Sequence, residues 1–173
     1  LNILEFDKII KMLVNEAVTH GGKGLCEALH PHEDKYVALR ALKETSEAES
    51  LIIKKGTPPL SPVGEVKGSV MRAEAGGTLS PRELLNCAHV LRVAYEISSY
   101  IDEENFEEEY IALSAITRGL FVDKRTSAKI ISAIISEEEI ADDASQTLFN
   151  LRRKVKSYEA QIRETLNNMI KNP

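Results

Sequence analysis

Gly76-Gly77-Thr78-Leu79-Ser80-Pro81-Arg82-Glu83-Leu84-Leu85 holds a helix stop and a helix start within ten residues. Ser80 places a hydroxyl at an N-cap, Pro81 falls at N1 where its missing N–H costs nothing, and Glu83 falls at N3. The serine oxygen is positioned to accept from the N3 amide while the glutamate reaches back to the cap amide. The helix so started is expected to run to about Tyr100, with Leu84, Leu85, Ala88, Leu91, Ala94, Tyr95 and Ile97 facing a core. Upstream, Gly76 and Gly77 end a short helix expected over Glu65 to Ala73.

Working outward, the same signals recur. Leu1, Leu4, Ile9, Met12, Leu13 and Ala17, widened by Phe6 and Ile10, form one amphipathic stripe that ends before His20-Gly21-Gly22. Residues 21 to 33, with three glycines and Pro31, read as a connector holding at most a helical turn. A second helix is expected from Glu33 to Lys55, stopped by Gly56. Pro58, Pro59 and Pro62 make Thr57 to Gly64 an extended loop or hinge. Two shorter helices are expected at 106–118 and 125–136. Thr117 to Val122 has a β-like composition but weak alternation, so no strand is assigned and the fold class is all-α.

The last helix is expected from about Asp142 to Asn172, about 45 Å at 1.5 Å per residue. Ala144, Leu148, Leu151, Val155, Tyr158, Ile162, Leu166 and Met169 recur at spacings of three and four, the pattern of a coiled-coil seam. Such a seam packs against one partner helix, and that partner is expected beyond Pro173 or in another molecule. The organisation is therefore a helical core over 1–141 followed by the start of a long lever helix over 142–173.

Composition narrows the function classes. The 173 residues are 43% hydrophobic and 28% charged, with no Trp and 5% aromatic residues, so an aliphatic core is expected. No apolar run approaches the roughly 18 residues of a membrane span, and no signal peptide opens the chain. Cys26 and Cys87 lie far apart and suggest reduced thiols in a cytoplasmic protein. A net charge of −5 does not suit a dedicated DNA-wrapping domain. The charge is uneven, however. Asp102, Glu103, Glu104, Glu107, Glu108 and Glu109 form one acidic run, and Glu137, Glu138, Glu139, Asp142 and Asp143 another. These read as solvated faces or as negative charge at helix starts, a role that suits Asp142 and Asp143. From Ala144 onward six Lys/Arg face two Glu, a local charge of +4.

Several constellations invite chemistry. Gly21-Gly22-Lys23-Gly24 lacks the preceding strand and the Ser/Thr of a phosphate loop, so it reads as a helix-terminating turn. His20, Cys26, His30 and His32 offer metal-ligand types, but their spacing matches no common zinc module. Cys87 and His89 on one helix read as ordinary core or surface residues rather than a nucleophile and base. No catalytic, cofactor-binding or metal-ligating residue is assigned. The candidate nucleic-acid contacts are Arg152, Arg153, Lys154, Lys156 and Arg163, whose positive charge can neutralise phosphates. Without a family in view, the same cations also serve as a solubilising face beside an apolar seam.

Leu4-Glu5-Phe6-Asp7-Lys8-Ile9, Thr45-Ser46-Glu47-Ala48, Pro58-Pro59-Leu60, Arg72-Ala73, Gly76 to Leu85, Ile140-Ala141-Asp142-Asp143-Ala144-Ser145 and Leu151-Arg152-Arg153 occur in one order. In that order the chain resembles the N-terminal region of the second bacterial MutS family, the mismatch-independent paralogues bearing a C-terminal Smr nuclease domain. The resemblance implies a helical core and lever leading into a clamp arm and then an ATPase domain that uses ATP and Mg. It also implies a homodimeric parent that handles branched DNA, suppressing recombination, or acts on ribosomal RNA in stalled or collided ribosomes. The phosphate loop and the nuclease motif have no counterpart here, so the segment is expected to be non-catalytic. The Leu start and the stop within a helix suggest a piece of a longer protein. Two other classes compete: a stand-alone helical dimerisation module, and a small metalloprotein resting on the His20–His32 cluster.

Overall fold

The computed structural model describes residues 5–102 and 105–171. The expectations placed on Leu1, Leu4, Glu103, Glu104, Asn172 and Pro173 lie outside the described residues. Helices make up the regular structure: α1 (Phe6–Glu16), α2 (His20–Glu27), α3 (Lys35–Lys55), α4 (Lys67–Glu74), α5 (Pro81–Tyr100), α6 (Phe106–Glu109), α7 (Ile111–Thr117), α8 (Lys124–Ala133) and α9 (Gln146–Lys171). Among the described residues the only β-type pairing is an isolated antiparallel bridge between Ile134 and Ile140. The class is all-α with a long C-terminal helix.

Local chemistry sets most of these boundaries. Ser80 Oγ accepts from the Glu83 amide at 3.3 Å and Glu83 Oε2 accepts from the Ser80 amide at 2.9 Å, so the expected capping box opens α5. Asp34 caps α3, taking the Tyr36 amide at 2.6 Å. Asp123 caps α8, taking the Thr126 amide at 3.0 Å. Gly76, at φ 83°, closes α4 in the left-handed region.

Four expectations change. The glycine-rich stretch after His20 does not end a helix; it opens α2, because Thr19 Oγ1 accepts from the Gly22 amide at 3.0 Å and caps it. The single helix expected at 106–118 is broken at Tyr110, whose backbone (φ −123°, ψ 64°) leaves the helical region. The helix expected at 125–136 ends at Ala133, because Ile134 turns extended and pairs with Ile140. The last helix starts at Gln146 rather than Asp142, because Ser145 Oγ accepts the Leu148 amide at 3.1 Å.

Burial is divided. Leu51 of α3 packs with Phe106 and Tyr110, flanked by Tyr100, Ile101 and Leu113. The Phe106 and Tyr110 rings lie 5.3 Å apart, so this cluster is aromatic and not the aliphatic core that the composition suggested. A second cluster joins α5 to α8, where Ala88 and Val93 are buried and Ser127 Oγ donates to the Ala88 carbonyl at 3.1 Å. Lys124 Nζ sits 3.5 Å from the centre of the Tyr95 ring and adds a cation–π contact to that pairing. Helices α1 and α2 pack on each other.

The solvent-accessible surface is 13603 Å² for a chain of 19.2 kDa, whereas a compact monomer of that mass exposes about 8,400 Å². Exposed apolar side chains contribute to the excess. Along α9, Leu151, Val155, Tyr158, Ile162, Leu166 and Met169 are all more than half exposed.

Candidate nucleic-acid interface

Helix α9 is 26 residues long, about 39 Å of rise. At 100° per residue, Arg152, Lys156 and Arg163 fall within about 40° of one another. Arg152 and Lys156 are separated by about 6 Å along the axis, and Arg163 lies about 10 Å further. Lys154 projects on the opposite flank of the apolar seam, and Arg153 on the face turned away from it. The helix therefore gathers three of the five sequence-assigned cations on one stripe and sets the other two apart. Glu159 borders the stripe, so its charge is not uniform, and Glu164 falls on the face of Arg153.

The stripe is not free at its N-terminal end. Arg152 Nη1 donates to Asp142 Oδ1 at 2.5 Å and to the Ile140 carbonyl at 2.8 Å. Lys156 Nζ donates to Asp142 Oδ2 at 3.1 Å. The Arg152 hydrogen bond, and then that of Lys156, hold the Asp142 carboxyl below its usual range. Asp142 thus does not serve the helix start that its sequence position suggested; it pairs with side chains ten and fourteen residues on. Arg153, Lys154 and Arg163 form no ion pair within the described residues.

The hairpin over 134–140, closed by the Ile134–Ile140 bridge and receiving Arg152 at the Ile140 carbonyl, is itself tied to the body. The Ala141 amide donates to the Ala133 carbonyl at 2.9 Å, and Arg82 at the start of α5 lies 3.7 Å from Glu137. The second acidic run thereby joins α5, the hairpin and the root of α9. In the first run, Glu107 pairs with Arg118 at 3.1 Å and Glu109 with Lys54 at 3.0 Å.

The remaining candidates are placed differently. Gly21 to Gly24 lie within α2. Among the described residues no group of three or more His, Cys, Asp and Glu is arranged to hold a metal ion, so His20, Cys26, His30 and His32 are not brought together. Burial pushes the Cys87 thiol up, the opposite of what a nucleophile needs. His89 Nε2 donates to the Pro62 carbonyl at 3.1 Å while its Nδ1 accepts from Arg92 at 2.8 Å, which fastens the proline loop to α5. Among the described residues no helix is long and apolar enough to cross a membrane.

Two residues matter more than their positions in the sequence suggest. Glu47 is a buried carboxylate on α3 that accepts the Ala112 and Leu113 amides at the start of α7. Glu83 gathers Ser69 Oγ at 2.9 Å and Arg72 from α4 as well as its own cap. Neither role has a local signal, because the partners lie 65 to 66 positions away from Glu47 and 11 to 14 from Glu83.

No protein-family model matches the chain. Among curated proteins, it is 38% identical over 171 residues to "Endonuclease MutS2" of Clostridium botulinum (strain 657 / Type Ba4). It is 40% identical over 172 residues to the protein of that name from Acetivibrio thermocellus, and 38% over 171 residues to that of Clostridium novyi (strain NT). Each alignment covers 99% of this chain and 22% of the relative, so the chain spans about a fifth of their length.

Proposed function

The chain is homologous, along nearly its whole length, to one segment of the MutS2 proteins, and from that premise we propose that it is their N-terminal helical core and lever. Residues 1–141 form the body, and the segment from 142 onward begins the arm that leads toward a clamp. The observation that carries this reading is α9 itself: a 26-residue helix with no buried residue and an exposed apolar seam. A seam of that length gains stability only when a second helix covers it. A returning segment of the longer protein supplies that helix.

The parent is an ATP- and Mg-dependent homodimer that grips branched DNA or ribosomal RNA, and this segment does no bond-breaking of its own. Nucleotide-driven movement elsewhere reaches the grip through α9, because packed helices shift between discrete arrangements rather than deforming continuously. Arg152, Arg153, Lys154, Lys156 and Arg163 contribute phosphate contacts near the root of the arm. The location is cytoplasmic.

The test is a salt titration of binding to a fluorescein-labelled four-way DNA junction, with charge reversal at Arg153, Lys154 and Arg163. Reversing a cation that neutralises one phosphate should flatten the slope of log K against log salt by about 0.9. An unchanged slope overturns the assignment of these residues. Concentration-dependent self-association with no nucleic-acid binding would favour a stand-alone dimerisation module instead.

A further inference from the structure

Asp142 occupies two of the three cations on the Arg152–Lys156–Arg163 stripe. Its two carboxylate oxygens divide between them, Oδ1 on Arg152 and Oδ2 on Lys156, much as two oxygens of one phosphate would. The Arg152 nitrogen that holds Asp142 also donates to the Ile140 carbonyl, so this one guanidinium fixes the root of α9 on the hairpin. All three side chains are exposed enough for solvent to reach the pair: 37% for Arg152, 53% for Asp142 and 71% for Lys156.

From this arrangement we infer that Asp142 is an autoinhibitory stand-in for phosphate, displaced from Arg152 and Lys156 when an anionic backbone binds. The inference rests on the nucleic-acid reading above and adds to it a competition and a mechanical consequence. Exposed ion pairs are weak and screened by salt, so a polyanion competes for them on favourable terms. When phosphate takes Arg152 and Lys156, the guanidinium turns away from Asp142 and from the Ile140 carbonyl. The tie between the 134–140 hairpin and α9 breaks at the same moment. Occupancy of the site and the direction in which α9 leaves the body are thereby coupled through one residue.

Asp143 supplies the control. It is exposed, carries the same charge one position on, and makes no ion pair within the described residues. Asp142→Asn and Asp143→Asn change net charge equally, so general electrostatics moves both alike. The experiment measures binding of the fluorescein-labelled four-way DNA junction by the protein and these two variants across a salt series. Asp142→Asn should bind about two- to thirtyfold tighter than Asp143→Asn, the range set by its two exposed ion pairs. Equal affinities for the two variants, with the wild-type protein binding, overturn the latch and leave the proposed function standing. No binding of the junction by the wild-type protein or either variant overturns the branched-DNA reading of the proposed function, and the displacement falls with it.

Discussion

The Glu47 carboxylate, in a residue only 5% exposed, accepts a 2.8 Å hydrogen bond from the amide of Ala112, 65 positions away. The same oxygen takes the Leu113 amide at 3.0 Å, and Lys43 lies 3.4 Å from the other. The break at Tyr110 leaves the first amides of α7 without intrahelical partners, and a carboxylate from α3 satisfies them. Glu47→Ala removes that acceptor and orphans two part-buried donors. A loss of about 2–3 kcal/mol is expected in urea unfolding, with Glu47→Gln costing less because it keeps a carbonyl oxygen. Equal stability of wild type and Glu47→Ala would mean that α7 does not depend on α3.

The turn before α5 makes a second demand on sequence. Gly76 sits at φ 83°, and a Cβ on Gly77 would lie 2.9 Å from the Arg72 carbonyl oxygen. Gly76→Ala should cost about 1–2 kcal/mol from the left-handed backbone alone. Gly77→Ala meets the Arg72 side chain at 2.7 Å and, less able to move, the Arg72 carbonyl oxygen at 2.9 Å, so α4 must shift to accommodate it. Thermal unfolding of both variants checks this, and a midpoint unchanged for Gly77→Ala would show that the turn yields easily.

Acid should loosen the same joint. Backbone donation from Ser80, and then the Arg72, Ser69 and Ser80 side chains, lower Glu83 from 4.5 to about 2. A carboxyl with a depressed folded-state value binds protons more readily unfolded, so its stabilisation is complete above 4.5 and is lost as pH falls toward about 2. Asp123 and Asp142 are lowered as well and act in the same direction. The difference in stability between wild type and Glu83→Gln should therefore shrink as pH drops through that window. A difference that stays constant between pH 6 and pH 3 would remove Glu83 from the acid response.

How far the fold was legible follows from where each determinant lies. The α5 start was readable because Ser80, Pro81 and Glu83 act within four residues. Asp34 and Gly56 likewise bound α3 locally. The break at Tyr110 was not readable, because its compensation comes from Glu47, and neither was the pairing of Ile134 with Ile140. Thr19 did carry a signal for α2, a hydroxyl three residues before the amide it caps, but the glycines that follow pointed toward a stop. In the candidate site, the basic cluster and the seam were visible as periodicity. The engagement of Arg152 and Lys156 by Asp142 was not, since spacings of ten and fourteen match no helical repeat when the first residue lies outside the helix.

The seam itself gives the last prediction. Ile162 and Leu166 are 58% and 54% exposed, and neither is buried by any other element. Replacing both with Ser removes apolar surface that this chain does not bury, so its own stability should change by no more than about 0.5 kcal/mol per site. The proposed lever places the same pair under a covering helix in the longer protein, where each side chain would contribute about 1.5–3 kcal/mol. Differential scanning calorimetry of the chain and of the full-length protein, each with and without Ile162→Ser and Leu166→Ser, separates the two cases. A large loss already in the chain would mean that α9 folds back on its own body. No loss in the full-length protein would mean that the seam stays bare there, and the lever reading would lose the helix it needs.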